Sequence, residues 1–371
     1  MQAGLRAALT AGAARPFNVA GLPVWSAAVR AARQGIAPAR ILAIGDSTVQ
    51  GTNSQEGNSF GLRDHAWPAE LEKLIAANGR TPSSRLSSFF GSGSGFTLAA
   101  LLAMDPRWSG SAWVSGDYST VGGKLFRLTN GTTGTLTFTP GGGFDTVDLW
   151  ADHGSGAGLL EVVTGGVVRA TINLATGAPK TALYSIAVPA GSTAVSFRRN
   201  SATNTTSLFF NAVAVRNASE ARIEVMNGGW HGSRIADWLT SADPWSAYNG
   251  LTTFGQALTI LCCNINDARN TTDLGTYRAG VLALLNRARE VGDAILMTSV
   301  PSDPAAVSYA SQLAYVDAAI SAAQEAGAEV LDVWRARGGT YSAALMADDV
   351  HPTWAGYQDV AALTYRALGS P

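Results

Sequence analysis

Wholly apolar runs and one-sided helical stripes alternate at both ends of the chain. Ile41–Ile44 runs directly into Gly45-Asp46-Ser47, the pattern of a strand buried on both faces that meets a loop. After Pro68, Leu71, Leu74 and Ile75 share one helical face, with Glu70, Glu72 and Lys73 opposite, Trp67 packed at the start and Gly79 as the stop. The same texture returns as strands at 221–226, Leu258–Cys263, Ala294–Val300 and Val330–Val333. Between them, Tyr277, Val281, Leu284, Leu285 and Ala288 mark a helix ended by Gly292, and Leu313, Val316 and Ile320 one ended by Gly327. Val360, Leu363 and Ala367 mark a last helix. Strands alternating with helices predict an α/β domain, its mainly parallel sheet covered on both faces.

The middle of the chain reads differently. Leu125–Leu128, Thr135–Phe138, Val147–Trp150, Leu159–Val163, Val167–Ile172, Leu183–Val188, Ala194–Phe197 and Leu208–Val215 are short runs separated by Gly, Asn, Thr and Pro. No helix of three turns is expected between about 110 and 220. These runs predict an antiparallel β-sandwich of jelly-roll type. The pieces of the α/β pattern flank it, so the reading is a discontinuous domain, 1–80 with 218–371, interrupted by an inserted sandwich at 81–217.

Composition narrows the function classes. The 371 residues are 46% hydrophobic and 14% charged, which excludes a wholly disordered chain. A net charge of −1 gives no global field for nucleic acid or anionic lipid. No run approaches the length of a membrane span. Arg6 followed by Ala7–Ala14 is too weakly apolar for a signal-peptide core, so a cytoplasmic, unconventionally exported or virion-associated protein is expected. Cys262 and Cys263 are neighbours on one strand and point to opposite faces, against a disulfide between them.

Four polar clusters follow strands or lie in late loops, where ligands of such sheets bind. Gly45-Asp46-Ser47 offers a serine at a strand end, readable equally as a capped turn. In Asp348-Asp349-Val350-His351-Pro352, an aspartate three residues before a histidine can hold its ring as a general base. The alternatives are a capped helix entry or a metal loop, and the scattered His65, His153 and His231 disfavour metal. Asn264-Ile265-Asn266-Asp267 supplies an amide for an oxyanion, or merely turn residues. Asn227-Gly228-Gly229-Trp230-His231-Gly232 supplies glycines that let backbone approach a substrate, or a glycine-rich turn.

Together and in this order, the four clusters resemble the SGNH (GDSL-type) serine hydrolase family. The resemblance implies a flavodoxin-like three-layer α/β domain, an esterase activity and no cofactor or metal. It implies Ser47 as nucleophile, His351 as base and Asp348 as its orienting acid. The N–H groups of Ser47 and Gly232 and the side chain of Asn266 then form the oxyanion hole, Gly232 being chosen because it falls five residues after Asn227. Asp46 is expected to give structural support, and Asp349 to face solvent. Asn264 replaces the family's usual glycine, narrowing the floor of the site or adding a polar contact. Trp230, His231 and Arg234 flank Gly232 as candidate substrate-binding residues. Asp152-His153-Gly154 reads as a polar turn, with a reach into the cleft as the alternative.

The expected activity is hydrolysis of carboxylic esters, with O-acetyl groups on carbohydrate as substrate because a jelly-roll-like module can present a sugar-binding wall. Excising that wall is expected to spare small-ester hydrolysis. The rival readings are a small-ester, aryl or lipid esterase, and a glycan-binding surface or tail protein with a vestigial hydrolase domain. Oligomeric state is not legible.

Overall fold

The computed structural model of the chain describes residues 21–55, 61–78, 87–89, 91–92, 97–154, 156–201, 206–220 and 222–369. The N-terminal alanine run, Gly79 and the proposed boundary at 81 lie outside these residues.

Five strands form a parallel sheet: β1 (Ala39–Gly45), β2 (Ile223–Gly229), β3 (Leu258–Cys262), β4 (Asp293–Met297) and β5 (Glu329–Leu331). Their order is β2-β1-β3-β4-β5, with every neighbouring pair parallel. The chain reverses direction across the sheet between β1 and β3, and a crevice opens beyond the carboxyl ends of such a strand pair. Side chains alternate between two cores. Leu42, Ile44, Met226, Leu261 and Leu296 enter one, and Ile41, Ala43, Val225, Ile260 and Ile295 the other. The adjacent cysteines follow suit: Cys262 faces the second core, Cys263 the first, and both are free.

Helices cover both faces. α1 (Pro23–Arg33), α2 (Trp67–Ala77) and α5 (Trp354–Ala367) bury Trp25, Val29, Leu71, Ile75, Val360 and Leu363 in the second core. α3 (Leu274–Arg289) and α4 (Tyr309–Ala326) bury Tyr277, Val281, Leu284, Tyr315 and Ala319 in the first. Gly327 ends α4 in the left-handed conformation at φ 64°. The buried stripe of α4 runs through Gln312, Tyr315, Val316, Ala319 and Ala323, with Leu313 and Ile320 at its margin. Small alanines, rather than the larger aliphatics, allow the close approach to α3 there. α1 was not foreseen, although Trp25, Val29 and Ala32 follow a first-turn Pro23 at helical spacing.

All eight middle runs are strands, joined by Ser87–Phe89, Gly91–Ser92, Trp108–Gly110 and Trp113–Thr120, which the sequence reading missed. They build a five-stranded and a seven-stranded antiparallel sheet. Leu136, Phe138, Leu160, Val162 and Phe197 of one sheet meet Phe144, Val147, Leu149, Val213 and Val215 of the other in a third core. The seven-stranded sheet is also buried on its back, where Trp150, Ala212 and Ala214 join the core of Leu42, Ile44 and Met226. At this junction Arg40 donates to Glu224 at 2.6 Å and to Asp148 at 2.7 Å. The first and last strands of this region, Ser87–Phe89 and Leu208–Arg216, pair with each other, placing Ser87 opposite Ala214. Among the described residues no helix is long and apolar enough to cross a membrane.

Candidate active site

β1 ends at Gly45, and a short helix, Ser47–Gln50, begins at once. Gly45 has φ 152°, and a Cβ there would stand 1.9 Å from the Cys262 carbonyl oxygen. Only glycine lets β1 and β3 end this close. Asp46 caps the helix, its Oδ1 accepting from the Thr48 N–H at 2.8 Å and the Thr48 hydroxyl at 2.7 Å. Burial raises its carboxyl to about 6 against the pull of those bonds. Asp46 therefore supports the turn from beneath and leaves Ser47 at the crevice.

The loop before α5 brings in a histidine. His351 Nε2 lies 2.8 Å from Ser47 Oγ, and His351 Nδ1 lies 2.8 Å from Asp348 Oδ2. The loop is closed by Ala347 N–H donating to the His351 carbonyl at 2.8 Å. Asp348 Oδ1 accepts the N–H groups of Val350 at 2.8 Å and His351 at 2.7 Å, and Oδ2 also accepts Asn53 Nδ2 at 2.6 Å. Burial works to raise this carboxyl, but the bonds from the His351 ring and the two backbone N–H groups outweigh it and hold it well below the usual range. An ionised carboxylate can only accept, so it fixes the proton on Nδ1 and leaves Nε2 with a lone pair toward the serine hydroxyl.

The loop after β2 supplies the opposite rim. Gly232 has φ 73° and open space for 4 Å around the position of a Cβ, whereas Gly229 abuts the Gln50 backbone nitrogen. Asn266 Nδ2 donates to the Ser233 carbonyl at 3.0 Å, tying the loop after β3 to the Gly232 loop. His231 stacks parallel to His351, with ring centroids 6.4 Å apart and 8° between planes. Its Nδ1 lies 3.0 Å from Thr52 Oγ1. Burial, followed by the neighbouring His351, lowers the His231 imidazole to about 4, so it is neutral near pH 7.

Other expected neighbours lie elsewhere. Trp230 is 4% exposed and packs edge-on against Trp238 in the first core. It is a core residue, because the alternation of β2 turns it inward. Arg234 is exposed at the rim, its N–H donating to Asp237 at 2.8 Å. Asn264 is buried beside Ser299, accepting from that hydroxyl, and adds a polar contact behind the site. Asp349 is exposed. Asp152 and His153 end a strand rather than form a turn, and His153 is bonded to Tyr184 and the Thr176 carbonyl. Sequence reasoning missed Asn53 and the Thr52 contact to His231. Their one local signal is the Gly51-Thr52-Asn53-Ser54 turn itself.

A family model for the GDSL-like lipase/acylhydrolase family matches residues 185–358, a span that holds Gly232, Asn266, Asp348 and His351 but not Ser47. A solved structure of a peptidoglycan O-acetylesterase is similar over 95% of this chain and 97% of its own, at 18% identity and TM-score 0.68. An alpha/beta hydrolase from the metagenome of Lake Arreo, Spain, aligns over 41% of this chain and 74% of its own, at 23% identity and TM-score 0.34. A Corynascus thermopiles carbohydrate esterase family 2 enzyme with a carbohydrate binding domain aligns over 70% and 100%, at 13% identity and TM-score 0.31. The curated proteins compared include no match to the chain.

Proposed function

We propose that the chain, which matches the GDSL-like lipase/acylhydrolase family model over residues 185–358, hydrolyses carboxylic esters through an acyl-enzyme on Ser47. The observation that carries this reading is the unbroken chain from Ser47 Oγ through the His351 ring to Asp348, with both links at 2.8 Å. Ser47 Oγ attacks the ester carbonyl carbon as its proton passes to His351 Nε2. Asp348 stabilises the imidazolium through Nδ1. The carbonyl oxygen, now an anion, is held by the N–H groups of Ser47 and Gly232 and by Asn266 Nδ2. As the carbon–oxygen bond breaks, the leaving alkoxide takes the proton from Nε2. His351 then deprotonates a water, which attacks the acyl carbon, and the returning proton regenerates Ser47 as the acid departs.

The substrate class we propose is O-acetyl groups on carbohydrate. Support comes from the peptidoglycan O-acetylesterase that shares the fold across nearly both chains. The two antiparallel sheets fit an inserted, jelly-roll-like module at 81–217, with 1–80 and 218–371 as the catalytic domain, and the pairing of Ser87 with Ala214 brings its two ends together. Arg234 and His231 are the rim residues proposed to meet substrate.

A chromogenic acetyl ester tests the reaction. Ser47→Ala and His351→Ala are each expected to lower kcat by about 10⁴–10⁶-fold, and the double variant by little more, because the pair acts as a unit. Substantial turnover by Ser47→Ala would defeat the assignment. Release of acetate from an O-acetylated polysaccharide, compared with unacetylated and longer-acyl controls, tests the substrate class.

A further inference from the structure

The acid of the dyad is held by a residue from the far end of the chain. Asp348 Oδ2 accepts two hydrogen bonds, one from His351 Nδ1 at 2.8 Å and one from Asn53 Nδ2 at 2.6 Å. Oδ1 is held by the N–H groups of Val350 and His351. Those two backbone bonds fix one oxygen, but they leave the carboxylate free to rock about it. Asn53 removes that freedom from the oxygen that faces the imidazole. Because a carboxylate accepts and never donates, the amide nitrogen is the only end of Asn53 that can face it.

Asn53 is built for this contact. Its φ is +58°, the left-handed region that asparagine, aspartate and glycine tolerate and most residues do not. Its neighbours anchor the turn on both sides. The Thr52 carbonyl accepts Tyr357 Oη at 2.8 Å, and the Ser54 hydroxyl bonds both the carbonyl and the N–H of Leu62, at 3.0 and 2.8 Å. The turn leaves directly from the short helix that carries Ser47. One segment therefore fixes the nucleophile at its start and the acid three residues past its end. The geometry points to Asn53 as a positioning residue, which holds the Asp348 carboxylate in register with His351 and couples that register to the Ser47 helix.

This inference rests on the proposed esterase reaction for its kinetic readout but not for its structural one. Two substitutions keep the left-handed backbone: Asn53→Gly removes the amide, and Asn53→Asp replaces it with a carboxylate of the same shape. Around the dyad, the other titratable groups are His231, Asp46, Tyr341, Tyr357, Asp303 and Asp349, and neither substitution alters them. With a chromogenic acetyl ester, Asn53→Gly is expected to lower kcat by about 10–100-fold with KM within about threefold, as for loss of orientation rather than of binding. In Asn53→Asp the two carboxyl groups hold one proton between them until the pH passes the raised value of the pair. Above it the added negative charge favours the imidazolium, so the acid limb of the kcat/KM profile moves to higher pH, by about 1 on the pH scale. The His351 ring titration followed by NMR should move in the same direction, and it needs no turnover. Loss of thermal stability with unchanged kcat, acid limb and NMR titration would reduce Asn53 to a loop residue. A wild-type chain without esterase activity would overturn the proposed reaction, while the NMR titration would still decide the role of Asn53.

Discussion

Two aspartates, partly exposed Asp348 in the α/β body and buried Asp152 in the antiparallel region, are treated in opposite ways. In the body, Asp348 receives donors on both oxygens and stays ionised well below the usual carboxylate range. In the antiparallel region, Asp152 receives the Thr181 hydroxyl at 2.5 Å on Oδ1, while Oδ2 is buried without a hydrogen bond among the described residues. Burial raises that carboxyl to about 7. The difference is one of burial and donor supply, since Asp46, buried at a parallel strand end, is also raised, to about 6. The loop before α5 leaves the N–H groups of Val350 and His351 outside any ladder and free to converge on an anion. Antiparallel strands spend their N–H groups on the ladder, so a carboxylate buried there depends on side chains alone.

The largest test of this contrast is Asp348→Asn. An amide can no longer fix the proton on His351 Nδ1, and a loss of about 10⁴ in kcat is expected on a chromogenic acetyl ester, with the fold preserved. Asp152→Asn should leave kcat unchanged in the same assay. A comparable loss in both variants would mean that the antiparallel region takes part in the chemistry and would break the comparison.

Next in size is Asn266→Ala. Removing this proposed oxyanion donor is expected to lower kcat by about 10²–10³-fold, with KM changed much less, because the amide matters most when charge develops on the carbonyl oxygen. Asn266 Nδ2 also ties the Ser233 carbonyl, so circular dichroism must show the loop region intact. A rise in KM alone would make Asn266 a substrate-binding residue.

The same contrast explains what was legible in the sequence. Ser47, Asp348 and His351 stand out because the functional contacts of the last two are three residues apart and Ser47 follows an apolar strand. Eight antiparallel strands were read from short apolar runs and the turn residues between them. Asn53 was not readable: its partner is 295 positions away and is chosen by how two loops approach. Trp230 was misplaced for a related reason. Its neighbour Gly232 opens to space, but alternation along β2 sends Trp230 inward against Trp238. Excising 81–217 also turns out to be a poor experiment. Trp150, Ala212 and Ala214 share a core with Leu42 and Ile44, so removal strips apolar surface from the sheet that carries Ser47. Gln50 Nε2, packed against the Met104 sulfur at 3.3 Å, would lose its neighbour as well.

The smallest expected effect is on stability, and it follows from Asp152. Its folded-state value of about 7 lies above the roughly 3.9 of an unfolded aspartate. Between those two values the native chain binds more protons than the unfolded one, so stability falls as pH rises from about 4 through about 7. Asp152→Asn keeps the shape and removes the charge, which flattens that part of the curve. Below about pH 4 the two proteins should unfold alike, apart from any cost of burying the amide. At pH 8 the asparagine variant is expected to be more stable by about 1–3 kcal/mol, since each tenfold change in proton affinity is worth about 1.4 kcal/mol and relaxation around the buried charge recovers part of it. Urea unfolding at pH 5 and pH 8 reads the difference directly. Asp348→Asn should show the opposite sign at pH 8, because a carboxylate held below its unfolded value stabilises the fold once pH exceeds that value. If both variants respond alike to pH, the two carboxylates are held in the same way, and donor supply in the loop before α5 is not what separates them.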